Sequence, residues 1–274
     1  MIKRVFKNLG MYDGEAPAES AQLERDGWAL LPGVFGPEAI DAMKREIEAA
    51  FAEFASERSR SDKDEFRYEM FNRSAACQRA IGDPRILEVV EPLLGDDCHV
   101  IANTAWKNPP DFKGGPWHCD AGPHVPRPEG VEWPDAIPYP IFAVAAHLML
   151  HDCALADGPT AVVPGSHRSG RLAPFGAMND ERLTYDGRPP QVFEVSAGDV
   201  VLFVSDAWHR GLPARAGEGR GRFFLQSHYA RRDIAQRVRA TADANQCSPE
   251  AIARAESPRE KALIGLHDPF FYDG

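Results

Sequence analysis

The chain has 274 residues, 43% of them hydrophobic, enough to bury one sizeable core, and β-rich folds often reach this length undivided. Its formal charge of −10 at pH 7 argues against a nucleic-acid or anionic-membrane partner, since either wants a basic face. A small anionic ligand stays open, because it needs only one or two local cations.

The opening "MIKRVFKNLGMYDG" is basic but lacks the apolar stretch of a signal peptide, and no apolar run approaches a membrane span. Cysteines 77, 98, 119, 153 and 247 are odd in number and scattered, without a CxxC, which fits reduced thiols in a cytoplasmic protein. No internal repeat or low-complexity linker interrupts the chain. In "LERDGWALLPGVFGPEAIDAMKREIEAAFAEF", Trp28 to Leu31 reads as a short strand and the Pro-Gly pair as a turn. A helix follows, with Ile40, Met43, Ile47 and Phe51 on one face. "DPRILEVVEPLLG" predicts a second helix, opened by Asp83-Pro84 and stopped at Gly95.

From about residue 98 the chain breaks into short strand-like runs punctuated by Gly and Pro: "CHVIANTAWK", "IFAVAAHLML", "PTAVVPG", "QVFEVSAGDVVLFV" and "RFFLQSHYA". Between the first two lies "AGPHVPRPEGVEWPDAIPYP" (121–140), dense in proline and glycine. It reads either as a functional lid or as plain surface loop. After Ala230, "RRDIAQRVRATADANQ" returns to helical periodicity. Helices, then a block of short strands, then helix predict a β-sandwich or barrel braced by helices.

The chemistry-bearing stretch is "GPWHCDAG". In an extended chain residues i and i+2 share a face, so His118 and Asp120 can aim at one point while Cys119 turns away. Alone, such a pair is weak evidence and reads more readily as two solvated loop residues. A second histidine would complete a 2-His-1-carboxylate facial triad, which leaves three positions open on Fe(II). His209 is the candidate, just beyond the buried strand Val200 to Val204 in "GDVVLFVSDAWHRGLP". His167 sits in a Pro-Gly turn, and His147 and His151 flank an apolar strand, where core or edge roles fit better. His99 and His267 have no supporting context. In "GRGRFFLQSHYARR", alternation puts Arg222, Phe224, Gln226 and His228 on one face. A strand arginine among apolar neighbours needs a partner, either an internal carboxylate or a bound one. Arg220, two residues earlier, is the second choice.

With these residues in place, the chain resembles the phytanoyl-CoA dioxygenase family of Fe(II)- and 2-oxoglutarate-dependent oxygenases, over about residues 22 to 232. "DGWALLPGVFGPEAIDAMKREI" looks like the family's opening strand, turn and helix, and "KNPPDFKGGPWHCD" like its approach to the H-x-D. "DGPTAVVPGSHRSG" is similar to its P-G-S/T-H segment, followed by a GD-led strand, a "WH" and an "R…SHY" run.

The resemblance implies a mainly β fold, a double-stranded β-helix (jelly-roll) with flanking N- and C-terminal helices. It implies one domain over 1–274, with a core at about 98–230, a helical part at 1–97 and a helical tail at 231–274. Fe(II) would be held by His118, Asp120 and His209, and Arg222 would anchor the distal carboxylate of 2-oxoglutarate, with O2 as the oxidant. Trp106, Lys107 and Trp117 would line the site, unless they are barrel packing and a solvated lysine. Two departures from the pattern stand out. Many members carry a small hydroxyl residue two places after the distal histidine, where this chain has Gly211, and the Gly-rich segment before Arg222 is longer than usual, which keeps Arg220 in play. Asp120 argues against halogenation, since halogenating members of the superfamily replace that carboxylate. His124, Arg127 and Trp133 in the 121–140 loop are candidate substrate contacts. No basic cluster suits a CoA diphosphate, so a small metabolite or natural-product intermediate is expected. A non-catalytic 2-oxoglutarate-binding jelly-roll and a cupin-type isomerase or hydrolase are the competing readings.

Overall fold

A computed structural model describes residues 16–53, 65–120, 122–134, 136–236 and 247–266. Helix α1 (Ala18–Asp26) leads into β1 (Trp28–Leu31) and α2 (Pro37–Glu53). Then come β2 (Glu65–Arg67), α3 (Met70–Arg73), α4 (Ala75–Ala80) and α5 (Pro84–Leu94). Strands β3 (His99–Lys107), β4 (Ala143–Met149), β5 (Thr160–Val162), β6 (Gln191–Val192), β7 (Val200–Val204), β8 (His209–Gly211) and β9 (Phe223–Ala230) form the core. Short helices α6 (Pro249–Arg254) and α7 (Pro258–Leu263) follow. Of the helical periodicity expected after Ala230, residues 231–236 form turns and the remainder lies outside the described residues.

The strands form a six-stranded antiparallel sheet, β1-β7-β4-β9-β3-β2, and a three-stranded sheet, β6-β5-β8. This is the double-stranded β-helix. Period-two alternation decides what each face of the large sheet does. Val200, Leu202 and Val204 of β7, Val144, Ala146 and Leu148 of β4, and Leu225 and Tyr229 of β9 pack outward into one core. There they meet Ile40, Met43, Ile47 and Phe51 of α2 and Ile86, Val90 and Leu94 of α5. The residues between them face the small sheet: Ala145, Val201 and Phe203 meet Val162 and Phe193.

Helix α2 forms because its apolar residues recur at helical spacing and its face has this sheet to cover. Asp83 caps α5 by accepting from the backbone N–H of Arg85, Pro84 takes the first turn, where a missing N–H costs nothing, and Gly95 ends the helix. Gly198 turns the chain into β7 at φ 92°, where a Cβ would strike the Phe35 carbonyl oxygen, so only glycine fits. No helix among the described residues is long and apolar enough to cross a membrane.

Candidate active site

His118 and His209 face one another across an isolated antiparallel bridge. Each backbone N–H donates to the other's carbonyl at 3.0 Å. The H-x-D is therefore no strand of its own. It is a loop held in extended form by that bridge and by the Asp120 N–H donating to Ser205 O at 3.1 Å. His209, expected just past a strand end, opens β8.

Nδ1 of each imidazole lies 2.9 Å from a carbonyl two residues upstream, Pro116 O for His118 and Ala207 O for His209. Donation there commits the proton to Nδ1 and leaves both Nε2 lone pairs free to ligate. One ligand atom each from His118, Asp120 and His209 all lie within 4.8 Å of one another. His209 Nε2 stands 3.3 Å from Asp120 Oδ1. Burial works to raise the Asp120 carboxyl, but His209 and His228 beside it hold it well below the usual carboxylate range. Burial also depresses His209, and the carboxylate overrides that and raises it. His118 keeps exposed surface, yet desolvation and neighbouring His209 lower its pKa to about 4. An imidazole held neutral, a second whose Nε2 faces the carboxylate and would yield its proton to a cation, and one anionic oxygen in a single cluster fit a divalent iron with positions to spare.

The cluster borders a cavity of about 430 Å³ walled by the inner faces of β3 and β9, including Trp106, Phe224 and Gln226. Arg222 lies at this cavity, 6% exposed, between the rings of Phe112 and Phe224 at 5.0 and 5.1 Å. Its Nε donates to Asn108 Oδ1 and its Nη1 to Thr160 Oγ1, both at 3.0 Å. The guanidinium lies at the cavity wall, where a carboxylate entering the cavity can meet it with charge-assisted hydrogen bonds, so the residues fit 2-oxoglutarate. Gly211 proves to be a matter of space, since a Cβ there would lie 2.8 Å from Arg222 Cζ. The hydroxyl missing from β8 is matched by Thr160 on β5, whose Oγ1 also meets His147 Nδ1 at 3.2 Å. His147 is no satisfied core histidine. Its Nε2 is buried without a hydrogen-bond partner, and it lines the cavity beside Arg222. Burial and the Arg222 charge push its pKa well down, so it stays neutral.

Residues 23–221 match the sequence profile of phytanoyl-CoA dioxygenase (PhyH). The chain belongs to the phytanoyl-CoA dioxygenase family. Among curated relatives, the ectoine dioxygenase of Bordetella parapertussis is 30% identical over 156 residues, 53% of this chain and 47% of the relative. The ectoine dioxygenase of Halomonas elongata is 26% identical over 167 residues, 57% and 48% respectively. The chain thus spans about half the length of the curated relatives it matches. Of solved structures, HygX from Streptomyces hygroscopicus, with nickel and 2-oxoglutarate bound, superposes with a TM-score of 0.62 at 18% identity, covering 81% of this chain and 90% of that one. The epimerase SnoN of nogalamycin biosynthesis, in complex with Fe3+, alpha ketoglutarate and nogalamycin RO, gives 0.58 at 21%, covering 78% and 82%. At these identities the structures establish the fold that the family shares.

Several residues expected at the site lie elsewhere. Lys107 points to the opposite face of β3 from Trp106, paired with Glu48 at 2.6 Å, because neighbours on a strand face opposite ways. Arg220 bonds Asp157 and the Asp152 carbonyl at the surface, which removes it as an alternative to Arg222. Trp117 is fully buried in a separate apolar cluster, donating its Nε1–H to Asp180 O. His124, Arg127 and Trp133 do not line the cavity. His124 pairs with Asp206 through its backbone N–H and its Nδ1, and Arg127 lies 5.6 Å from the Trp133 ring centroid. The 121–140 loop is thereby tied to the segment that carries His209. Thr160, His147 and the Asp120 contact of His228 were not foreseen as parts of the site. The visible hint was the inward alternation of β9.

Proposed function

We propose that this protein is a non-haem iron, 2-oxoglutarate-dependent dioxygenase that hydroxylates an unactivated C–H of a small metabolite or natural-product intermediate, with succinate and CO2 as coproducts. The observation that carries the reading is the convergence of His118, Asp120 and His209 beside a cavity that also holds Arg222. Family membership supports it. The same reading takes the chain as one oxygenase domain with its core at about 98–230. It also takes the five free cysteines as a sign of the reducing cytoplasm.

In this proposal His118 and His209 present Nε2, and Asp120 presents an oxygen, to Fe(II). Bound together, the iron, 2-oxoglutarate and O2 supply the oxidising chemistry. Arg222 receives the far carboxylate of the cosubstrate, with Asn108 and Thr160 fixing the plane of its guanidinium. Trp106, Phe112 and Phe224 keep the cavity apolar and poor in water. Besides histidines, the basic residues at the cavity are Arg210 and Arg222, and the Arg210 guanidinium sits over the Trp117 ring. Among the described residues nothing there suits a CoA diphosphate, which favours a compact, weakly charged substrate.

The test is succinate formation with Fe(II), 2-oxoglutarate and O2 across a panel of small metabolites. Turnover falls to background in His118→Ala and in Asp120→Ala. Full activity in either variant removes the triad from the account.

A further inference from the structure

Asp120 has two carboxylate oxygens, and the metal reading above uses one. Its Oδ1 is the oxygen 3.3 Å from His209 Nε2, on the side of the cluster. The other, Oδ2, lies 3.1 Å from His228 Nε2. A sheltered carboxylate oxygen needs a donor, and the neighbouring imidazoles cannot supply one. The Nδ1–H groups of His118 and His209 are spent on Pro116 O and Ala207 O, and their Nε2 atoms are the ligating lone pairs.

His228 is placed for that task by the sheet. It pairs across the ladder with Ala102 of β3 on one side and Ala145 of β4 on the other. Two alanines leave its ring lateral room, so the side chain rises from the inner face into the cavity that it helps to line. The side chains of His228 and Asp120 are 14% and 15% exposed, so water competes poorly for the contact.

We propose that His228 is a positioning residue that donates its Nε2–H to Asp120 Oδ2 and keeps Asp120 a one-oxygen ligand, with Oδ1 turned to the ion. The inference rests on the metal reading of the triad. Held at Oδ2, the carboxylate occupies one position and leaves the others open for the cosubstrate and O2. Released, it is free to turn both oxygens inward and take a second position.

The probe is Co(II) added to metal-free protein, read by calorimetric titration and by the visible d–d absorption of the bound ion. His228→Leu and His228→Asn both remove the donor from reach. The second guards against a folding defect in the first, with far-UV circular dichroism as the check on both. Each is expected to weaken Co(II) binding about tenfold and to change the absorption envelope, the scale seen when a ligand's hydrogen-bond partner is lost. His228→Gln, whose amide N–H reaches to a similar distance, restores both. Wild-type affinity and spectrum in the Leu and Asn variants overturn the inference, as does equal weakening in the Gln variant, which marks a packing effect. Asp120→Ala separates the two levels of the argument. If it loses Co(II) while the His228 variants do not, the triad stands and the role of His228 falls. If it binds Co(II) like wild type, the metal reading itself falls.

Discussion

In the six-stranded sheet, β3, β4 and β9 run for 9, 7 and 8 residues and pair along nearly their whole length. In the three-stranded sheet, β5, β6 and β8 have 3, 2 and 3 residues. Ladder bonds and apolar burial suffice for the first. The second has shorter ladders and is fastened in addition by polar side chains beside its strands. Ser166 Oγ accepts from the Trp208 N–H, Trp208 Nε1 donates to Arg171 O, and Asp206 takes both the N–H and the ring of His124. His209 belongs to this second sheet, and Arg222 immediately precedes β9, an interior strand of the first. The candidate site therefore straddles a rigid platform and a stitched clasp. Cutting the platform should cost stability, and disturbing the clasp should cost ligand geometry.

The largest effect tests the platform. Leu202 of β7 is fully buried in the core shared with α2, and Leu202→Ala removes its side chain from the middle of that cluster. We expect a loss of about 2–5 kcal/mol in urea unfolding, with Co(II) affinity of the folded fraction unchanged. A loss below about 1 kcal/mol would mean that the outward core contributes less than its burial implies.

Next comes the joint between the sheets. His167 follows β5 and packs against Gly27 ahead of β1, with its Nε2–H donated to Glu24 O. Burial lowers its pKa to about 4 from the ordinary 6.5. Between those values the unfolded chain takes up a proton that the native state refuses. The contribution is therefore whole above pH 6.5, declines as the pH falls towards 4, and changes no further below that. It amounts to at most about 3 kcal/mol. His209, whose pKa is raised, works in the opposite sense, so the comparison must be between wild type and His167→Gln. The variant is expected to be less stable at pH 7 and to lose less stability between pH 6.5 and 4. Parallel stability profiles would refute the assignment.

Gly211 probes the clasp. Gly211→Val puts a branched side chain where the Arg222 guanidinium sits. Displacing that group is expected to raise KM for 2-oxoglutarate on the order of 30-fold, about 2 kcal/mol of a charge-assisted hydrogen bond. Thermal stability should move little, because β8 has 3 residues and ends there. An unchanged KM would mean that Arg222 does not hold the cosubstrate.

The same contrast governs what could be read from the sequence. Long elements carry enough residues for a period to show, so α2, α5, β3, β4, β7 and β9 are legible from alternation or helical spacing. Strands of 2 or 3 residues hold little period, so β2 and β8 do not show in the pattern, while β5 and β6 show only inside the longer strand-like runs "PTAVVPG" and "QVFEVSAGDVVLFV". The H-x-D and the histidine after a GD-led strand are legible because chain order and residue type suffice to propose them. Thr160, His147 and the contact of His228 with Asp120 are not. They depend on which strands lie opposite, and that is settled by the pairing of β9 with β3 and β4. Trp117 shows the limit from the other side. It adjoins a ligand in sequence, yet it turns into a separate core.

Lys107 offers the smallest and sharpest test of face assignment. Sequence placed it with Trp106 at the cosubstrate, but only Trp106 reaches the cavity, where its Nε1–H meets Gln226 Oε1 at 2.9 Å. Lys107 lies across the sheet, its ammonium on Glu48 and 5.5 Å from the Phe223 ring centroid. Both partners of that ion pair are more than 40% exposed by side chain, at 42% and 47%, so solvent screens it. Lys107→Gln should therefore cost no more than about 1 kcal/mol, and less at high salt. KM for 2-oxoglutarate should stay at its wild-type value. A severalfold rise would place Lys107 on the cavity side of β3 and invert the parity of the strand, taking Trp106 away from the site with it.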